Sequence, residues 1–148
     1  MIAAMEITRM GYEIRHKVRF GDIDGAGIVF YPRYFEMLNA SVEDWFENKL
    51  GVSFTELHMH RGLGCPTVAL DCAFVAPSQL GEQLTISVTP VELGRSSVKV
   101  AYLVSCDGQE RMRASAVLVC MDLKAHKAAP WPEDLAKGIR ADLPTGPV

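Results

Sequence analysis

One strongly amphipathic helix among strand patterns is the feature that most limits how this chain can fold. From Pro32 to about Leu50, Phe35, Leu38, Val42, Trp45 and Phe46 recur at spacings of three and four. Arg33, Glu36, Asn39, Glu43, Asp44 and Glu47 take the opposite side. Pro32 suits the first helical position, where a missing N–H costs nothing, and Gly51 suits the stop. Most of the remainder alternates with a period of two. Residues 12–20 read as a strand with Tyr12, Ile14, His16, Val18 and Phe20 on one face. Further faces are Val68, Leu70, Cys72 and Phe74; Leu84, Ile86 and Val88; Val98, Val100, Tyr102 and Val104; and Met112, Ala114, Ala116, Leu118 and Cys120. Asp107-Gly108 is the strongest hairpin signal, residues 52–64 read as a connector, and a short helix fits Glu133–Ile139. The pattern predicts one α+β domain over residues 1–148, a long helix against an antiparallel sheet of about five strands. Val117, Val119 and Met121 add a second apolar face opposite Leu118 and Cys120. One helix cannot cover so much sheet, so a homo-oligomer is expected, a dimer with sheets joined edge to edge.

The charge balance narrows the partners. Eighteen acids against fifteen bases leave a net charge of −3, and no basic block occurs. Nucleic acid is therefore not expected as a partner. No basic start precedes an apolar run at the N-terminus, and no apolar stretch is long enough to cross a bilayer, so no membrane partner is expected. Cys65, Cys72, Cys106 and Cys120 lie in apolar strand patterns without a C-x-x-C pair. They read as reduced packing residues of a cytoplasmic protein.

The chemistry concentrates in Arg19-Phe20-Gly21-Asp22-Ile23-Asp24-Gly25-Ala26-Gly27-Ile28-Val29-Phe30-Tyr31-Pro32-Arg33-Tyr34-Phe35, which joins the first strand to the helix. A turn that carries an acid to a helix N-terminus sets a nucleophile or base beside free N–H groups, a pairing suited to attack on a carbonyl. Asp22 and Asp24 are the candidates. Either could instead bond its own turn, but Gly21, Gly25 and Gly27 permit close approach, and Phe30, Tyr31, Tyr34 and Phe35 predict apolar surroundings that raise an acid's proton affinity or leave its carboxylate poorly solvated. Other motifs fail. Gly25-Ala26-Gly27 lacks the third small residue of a dinucleotide loop, Phe30 standing there. A calcium loop beginning at Asp22 would need ligands where Ala26 and Arg33 stand. His58 and His60 lack a third well-spaced metal ligand, and no serine has a Gly-x-Ser-x-Gly setting. No metal is expected.

Gly21 to Tyr34 closely resembles the signature of the 4-hydroxybenzoyl-CoA thioesterase family, and Arg61-Gly62-Leu63-Gly64-Cys65-Pro66-Thr67-Val68 looks like the segment leading into that family's second strand. The resemblance implies a hotdog fold, a long helix wrapped by an antiparallel sheet. It implies hydrolysis of a coenzyme A thioester, with CoA part of the substrate and no separate cofactor. Asp24 matches the catalytic carboxylate, Asp22 a structural acid, and the Tyr31 N–H the donor that polarises the thioester carbonyl. Gly25, Ile28, Val29, Phe30 and Pro32 fall in the substrate-binding part of the signature. Phe30-Tyr31-Pro32 resembles the branch acting on aromatic acyl groups, of benzoyl or hydroxybenzoyl type, although Gly25 stands where that branch usually has Pro. Arg95, after Gly94, is the expected contact for a CoA phosphate, with Lys99, Arg111, Arg113 and Lys124 as alternatives. The expected assembly is a dimer or a dimer of dimers, a homotetramer. Competing functions are a thioesterase for aliphatic acyl-CoA or acyl-carrier protein, a hydratase, and a module that binds acyl-CoA without cleaving it. No His follows Asp24 at the short interval a hydratase would use.

Overall fold

The computed structural model describes residues 11–144. β1 (Tyr12–Lys17), β3 (Thr67–Phe74), β4 (Gln83–Leu93), β5 (Ser97–Cys106) and β6 (Gln109–Val119) form one antiparallel sheet in the order β1-β4-β5-β6-β3. The short strands β2 (Leu63–Gly64), β7 (Met121–Asp122) and β8 (Lys127–Ala128) make a small second sheet. The period-two faces are the core: Leu84, Ile86, Val88, Val98, Val100, Val104 and Met112 are fully buried. β5 and β6 turn over at Asp107 (φ 49) and Gly108 (φ 79), the two positive φ values of a type I′ hairpin.

The sheet curls round α1 (Pro32–Trp45), whose last turn continues as a wider π-type turn, Phe46–Leu50. Pro32 occupies the first turn and Gly51, at φ 80, ends the helix. Tyr34, Met37, Leu38, Ser41, Val42, Trp45 and Phe46 face inward, while Phe35 is half-buried. α2 (Glu133–Asp142) closes the far end of the core with Leu135, Ala136 and Ile139. The Trp45 indole N–H donates to Asp142 Oδ2 at 2.8 Å, and Lys49 pairs with Asp142 Oδ1 at 2.9 Å, tying the two helix ends together.

Two local expectations need correction. The first strand stops at Lys17, and Phe20 is 80% exposed rather than on the buried face. Pairing with the β4 side continues only to Val18, after which the Asp22 carboxylate caps a tight turn over Phe20–Asp22 and rotates Phe20 outward. The connector at 52–64 is also not irregular throughout, since Thr55–His60 is helical and Leu63–Gly64 pairs with β7.

β3 is the exposed edge of the main sheet. Its pairing with β6 sets Leu70, Cys72 and Phe74 opposite the core residues Ala116, Ala114 and Met112. Even so, α1 does not reach far enough to cover them. Val68, Leu70 and Phe74 remain exposed, as does Val75 beyond the strand end. A long apolar edge of this kind is what proteins normally pair or cover.

Candidate active site

The segment from Asp22 to Tyr31 folds as a small hairpin laid against the start of β4. Ile23 bridges Val29, and Ile28 bridges Gln79. The Asp24 N–H donates to Ile28 O at 2.9 Å, and the Gly27 N–H donates to Asp24 O at 3.0 Å. Gly27 takes φ 81, the left-handed step that closes such a loop. Gly25 has open space around it, so within the chain no backbone makes the close approach its lack of a side chain would allow.

Asp22 fastens this hairpin to β1. His16 Nε2 donates to Asp22 Oδ2 at 2.8 Å, the Arg19 N–H donates to the same oxygen at 2.9 Å, and the Phe30 N–H donates to the Asp22 carbonyl at 2.8 Å. Burial pushes this carboxyl up. The bonds from Arg19 and His16 and the charges of His16 and Arg33 outweigh it and hold the group below the usual carboxylate range.

Asp24 is placed differently. It is exposed, and its Oδ1 accepts the Ala26 N–H at 2.8 Å. That bond to its own loop is the side chain's one hydrogen bond among the described residues. The apolar enclosure expected round this acid is not assembled within one chain.

A pocket of about 290 Å³ opens beside the hairpin, between the start of α1 and the end of β3, lined by Ile28, Val29, Tyr31, Tyr34, Phe74 and the segment Val75–Pro77. Phe74 anchors it, its ring 6.1 Å from Tyr31, 5.9 Å from Tyr34 and 6.5 Å from Phe35. The backbone at its rim is informative. The Val29 N–H is taken by Ser78 O, Phe30 by Asp22 O, Arg33 by Phe30 O and Tyr34 by Tyr31 O. Pro32 has no N–H. The Tyr31 N–H alone in this stretch has no acceptor among the described residues, and it stands at the positive end of α1.

The expected site residues therefore separate. Ile28, Val29 and Tyr31 line the pocket. Phe30 sits at the rim with its ring 5.5 Å from Tyr31, Pro32 is half-buried in the first turn, and Gly25 and Asp24 lie out on the hairpin tip. Arg95 is exposed in the β4–β5 turn. The hairpin packs at the start of β4, whose 11 residues rise about 3.3 Å each, so Arg95 and Asp24 of one chain stand toward opposite ends of a strand about 30 Å long. Arg111 is not available to a phosphate. It is 6% exposed, and its guanidinium bonds Glu82 through both terminal nitrogens at 2.7 and 2.9 Å and Pro77 O at 2.9 Å. Arg111, with the Gln79 N–H, holds Glu82 at about 2. The pair pins the segment that floors the pocket. Arg113 reaches Glu110 at 3.4 Å, while Lys99 and Lys124 are exposed. His58 bonds Phe54 O and His60 bonds Glu56.

Tyr34 and Phe74 line this pocket; the sequence marks Tyr34 only as one of the aromatics round the acid and does not mark Phe74 as a site residue. Tyr34 and Ser78 meet across 44 residues, which no local pattern reports.

A sheet wrapped round one long helix, with a free amide and an aromatic pocket at the helix start, defines a hotdog-fold enzyme of the thioester hydrolase class. The chain belongs to the thioesterase-like superfamily, whose family model matches residues 18–139. It is 26% identical over 125 residues to a 1,4-dihydroxy-2-naphthoyl-CoA hydrolase of Synechococcus elongatus, covering 84% of this chain and 91% of the relative. Among solved structures, a 1,4-dihydroxy-2-naphthoyl-CoA thioesterase from Synechocystis superposes with a TM-score of 0.78 at 24% identity, over 87% of this chain and 95% of the other. A gentisyl-coenzyme A thioesterase superposes with a TM-score of 0.77 at 24% identity, over 86% of this chain and 98% of the other. At that identity the two structures speak for the fold. Among the described residues no helix is long and apolar enough to cross a membrane.

Proposed function

We propose that this thioester hydrolase cleaves an aromatic acyl-CoA to the free acid and coenzyme A, as the resemblance to the 4-hydroxybenzoyl-CoA thioesterases implies. The observation that carries the reading is the Tyr31 N–H, without an acceptor among the described residues, at the mouth of the Tyr31–Tyr34–Phe74 pocket. A thioester carbonyl laid against that amide develops its negative charge at the start of α1, where donor and helix dipole favour it. Asp24 supplies the carboxylate, attacking the carbonyl carbon or taking a proton from a water that does. In net reaction the water oxygen bonds to the acyl carbon, the C–S bond breaks, and the thiolate leaves and takes up a proton. The pocket volume supports an aryl group. An apolar cavity of about 150 Å³ holds benzene, so 290 Å³ accommodates one ring with substituents or two fused rings. The relatives named for naphthoyl-CoA and gentisyl-CoA point the same way.

The site is completed by a second copy. A copy pairing antiparallel along β3 would bury Val68, Leu70 and Phe74 and set its Thr67 end beside this chain's Phe74. The β4–β5 turn lies at the Thr67 end, because Val98 and Thr67 both stand level with Leu118. Such pairing would carry the partner's Arg95 toward this chain's pocket, within reach of the extended CoA chain. Four free thiols support a reducing, cytoplasmic setting.

A panel of aryl and alkyl CoA thioesters with a thiol-detecting dye tests the proposal. Release of thiol with aryl esters preferred is expected. An alkyl preference refutes the aromatic reading, and binding without release refutes catalysis.

A further inference from the structure

We infer that Cys65 and Cys120 form a site of reversible oxidation, a disulfide across the junction of the two sheets. The inference stands apart from the reading of the acyl pocket.

Register sets the two thiols face to face. Leu63 pairs with Asp122 and Gly64 with Met121 between β2 and β7, and Thr67 pairs with Leu118 between β3 and β6. The register is the same on both sides of the gap, so Cys65 stands level with Cys120. The bonds that bracket the gap fix the kind of pair. The Leu123 N–H donates to Gly62 O and the Val119 N–H to Pro66 O, each at 3.0 Å. Bonded and non-bonded pairs alternate along an antiparallel ladder, so Gly62, Gly64 and Pro66 hold bonded positions and Cys65 a non-bonded one. The Cys120 backbone agrees, since its N–H donates to Ser96 O and its carbonyl accepts the Ala129 N–H, both at 2.8 Å. Opposed residues at a non-bonded position have Cα atoms about 4.5 Å apart, inside the roughly 4.4–6.8 Å that a disulfide spans. Their side chains share a face, and here both join the core, Cys120 fully buried and Cys65 half-buried against it.

The other two thiols have no such partner. Cys72 stands opposite Ala114, and Cys106 stands opposite Gln109 with its sulfur 3.9 Å from the carboxylates of Glu82 and Asp107. Burial pushes the Cys65 thiol up to about 12, the nearness of Cys120 adds to the rise, and burial pushes Cys120 up as well. Thiols held there attack slowly and leave slowly. The pair therefore stays reduced among abundant small thiols, and once closed it resists reopening. The oxidant is a low-molecular-weight disulfide. The Cys65 thiolate attacks one of its sulfurs, the S–S bond breaks, and one small thiol leaves with the Cys65 proton. The Cys120 thiolate then attacks the Cys65 sulfur, and the second small thiol leaves with the Cys120 proton. Two cysteine sulfurs are oxidised and one small disulfide is reduced to two thiols.

The test is incubation of the folded full chain with glutathione disulfide, followed by alkylation, peptide mapping without reductant and thermal melting. A linked Cys65–Cys120 peptide is expected, with a thermal midpoint higher by about 10 °C, because the bond closes a long loop. A dithiol reductant should reverse both. Cys65→Ser should lose the linkage and the rise, and Cys72→Ser should keep them. Glutathione adducts without a linked peptide, a linkage made through Cys72 instead, or a Cys65–Cys120 linkage that forms only in urea each overturn the inference. So does a linkage in the folded chain that leaves the midpoint unchanged or lower. Mapping of the unaltered protein decides even if Cys65→Ser does not fold.

Discussion

Replacing Glu82 by Gln should destabilise the protein at neutral pH and leave it unchanged in strong acid. Glu82 accepts two bonds from the buried Arg111 guanidinium and one from the Gln79 N–H at 2.6 Å. These hold its carboxyl at about 2 against an ordinary 4.5. A displacement of that size corresponds to about 3 kcal/mol, and 29% exposure of the side chain reduces it to about 2–3 kcal/mol. Removing one partner of a buried pair points to a similar figure, because Arg111 keeps its charge with nothing to neutralise it. The sign follows from the direction of the displacement. A depressed carboxyl stabilises the fold fully above pH 4.5, and that contribution is lost as pH falls toward 2. Urea melts of both proteins at pH 7, 5, 4 and 3 should show a gap that narrows with acid, and thermal midpoints at pH 7 should differ by about 5–10 °C. Asp22, Glu56, Asp122 and Asp134 are also held low, so both proteins weaken in acid and only the difference between them isolates Glu82. A gap that stays constant from pH 7 to pH 3 would refute the argument.

Asp24→Asn should lower kcat by about a thousandfold while moving the melt by less than about 0.5 kcal/mol, since an Asn oxygen can still accept the Ala26 N–H. Asp22→Asn should rank the other way, losing about 1–2 kcal/mol of stability through the weakened bonds from His16 and Arg19 and less of the activity; thiol release and urea melts on the two variants decide the ranking. Leu70→Asp sets a charge on the open β3 face and should give a monomer by light scattering with little activity, whereas an unchanged mass would remove β3 as the assembly edge.

The parts of the fold legible in the sequence are those one burial period dictates. Leu84, Ile86 and Val88 alternate with Thr85, Ser87 and Thr89, apolar against polar, although Ser87 and Thr89 are buried as well, and Asp107-Gly108 can take the positive φ values its hairpin needs. Thr55–His60 carries no such period. Its Leu57 is fully buried, but His58, Met59 and His60 beside it are not, so the segment reads as loop. Phe20 misleads for a related reason. It continues the alternation of β1, yet the Asp22 side chain ends the strand three residues earlier. The pocket's polar contacts leave no local trace at all. Tyr34–Ser78 and Glu82–Arg111 span 44 and 29 residues, and each exists only because the sheet brings its ends together.

The segment proposed to be catalytic is continuous in the sequence, whereas its setting is not legible there, and the physical reason lies in Phe74. That one side chain closes the aromatic pocket through Tyr31, Tyr34 and Phe35, ends the edge strand β3, and is still 50% exposed. The pocket mouth and the sheet's open edge are therefore the same surface. Whatever satisfies the apolar edge must also roof the pocket and change the solvation of the loop that carries Asp24. A chain that built its own roof would need a second long helix or a strand beyond β3, and the described residues contain neither. The long helix α1 thus has a consequence beyond architecture. It leaves β3 uncovered, so under the proposed pairing of two copies along that edge the carboxylate, the helix amide and the phosphate contact would come from different chains.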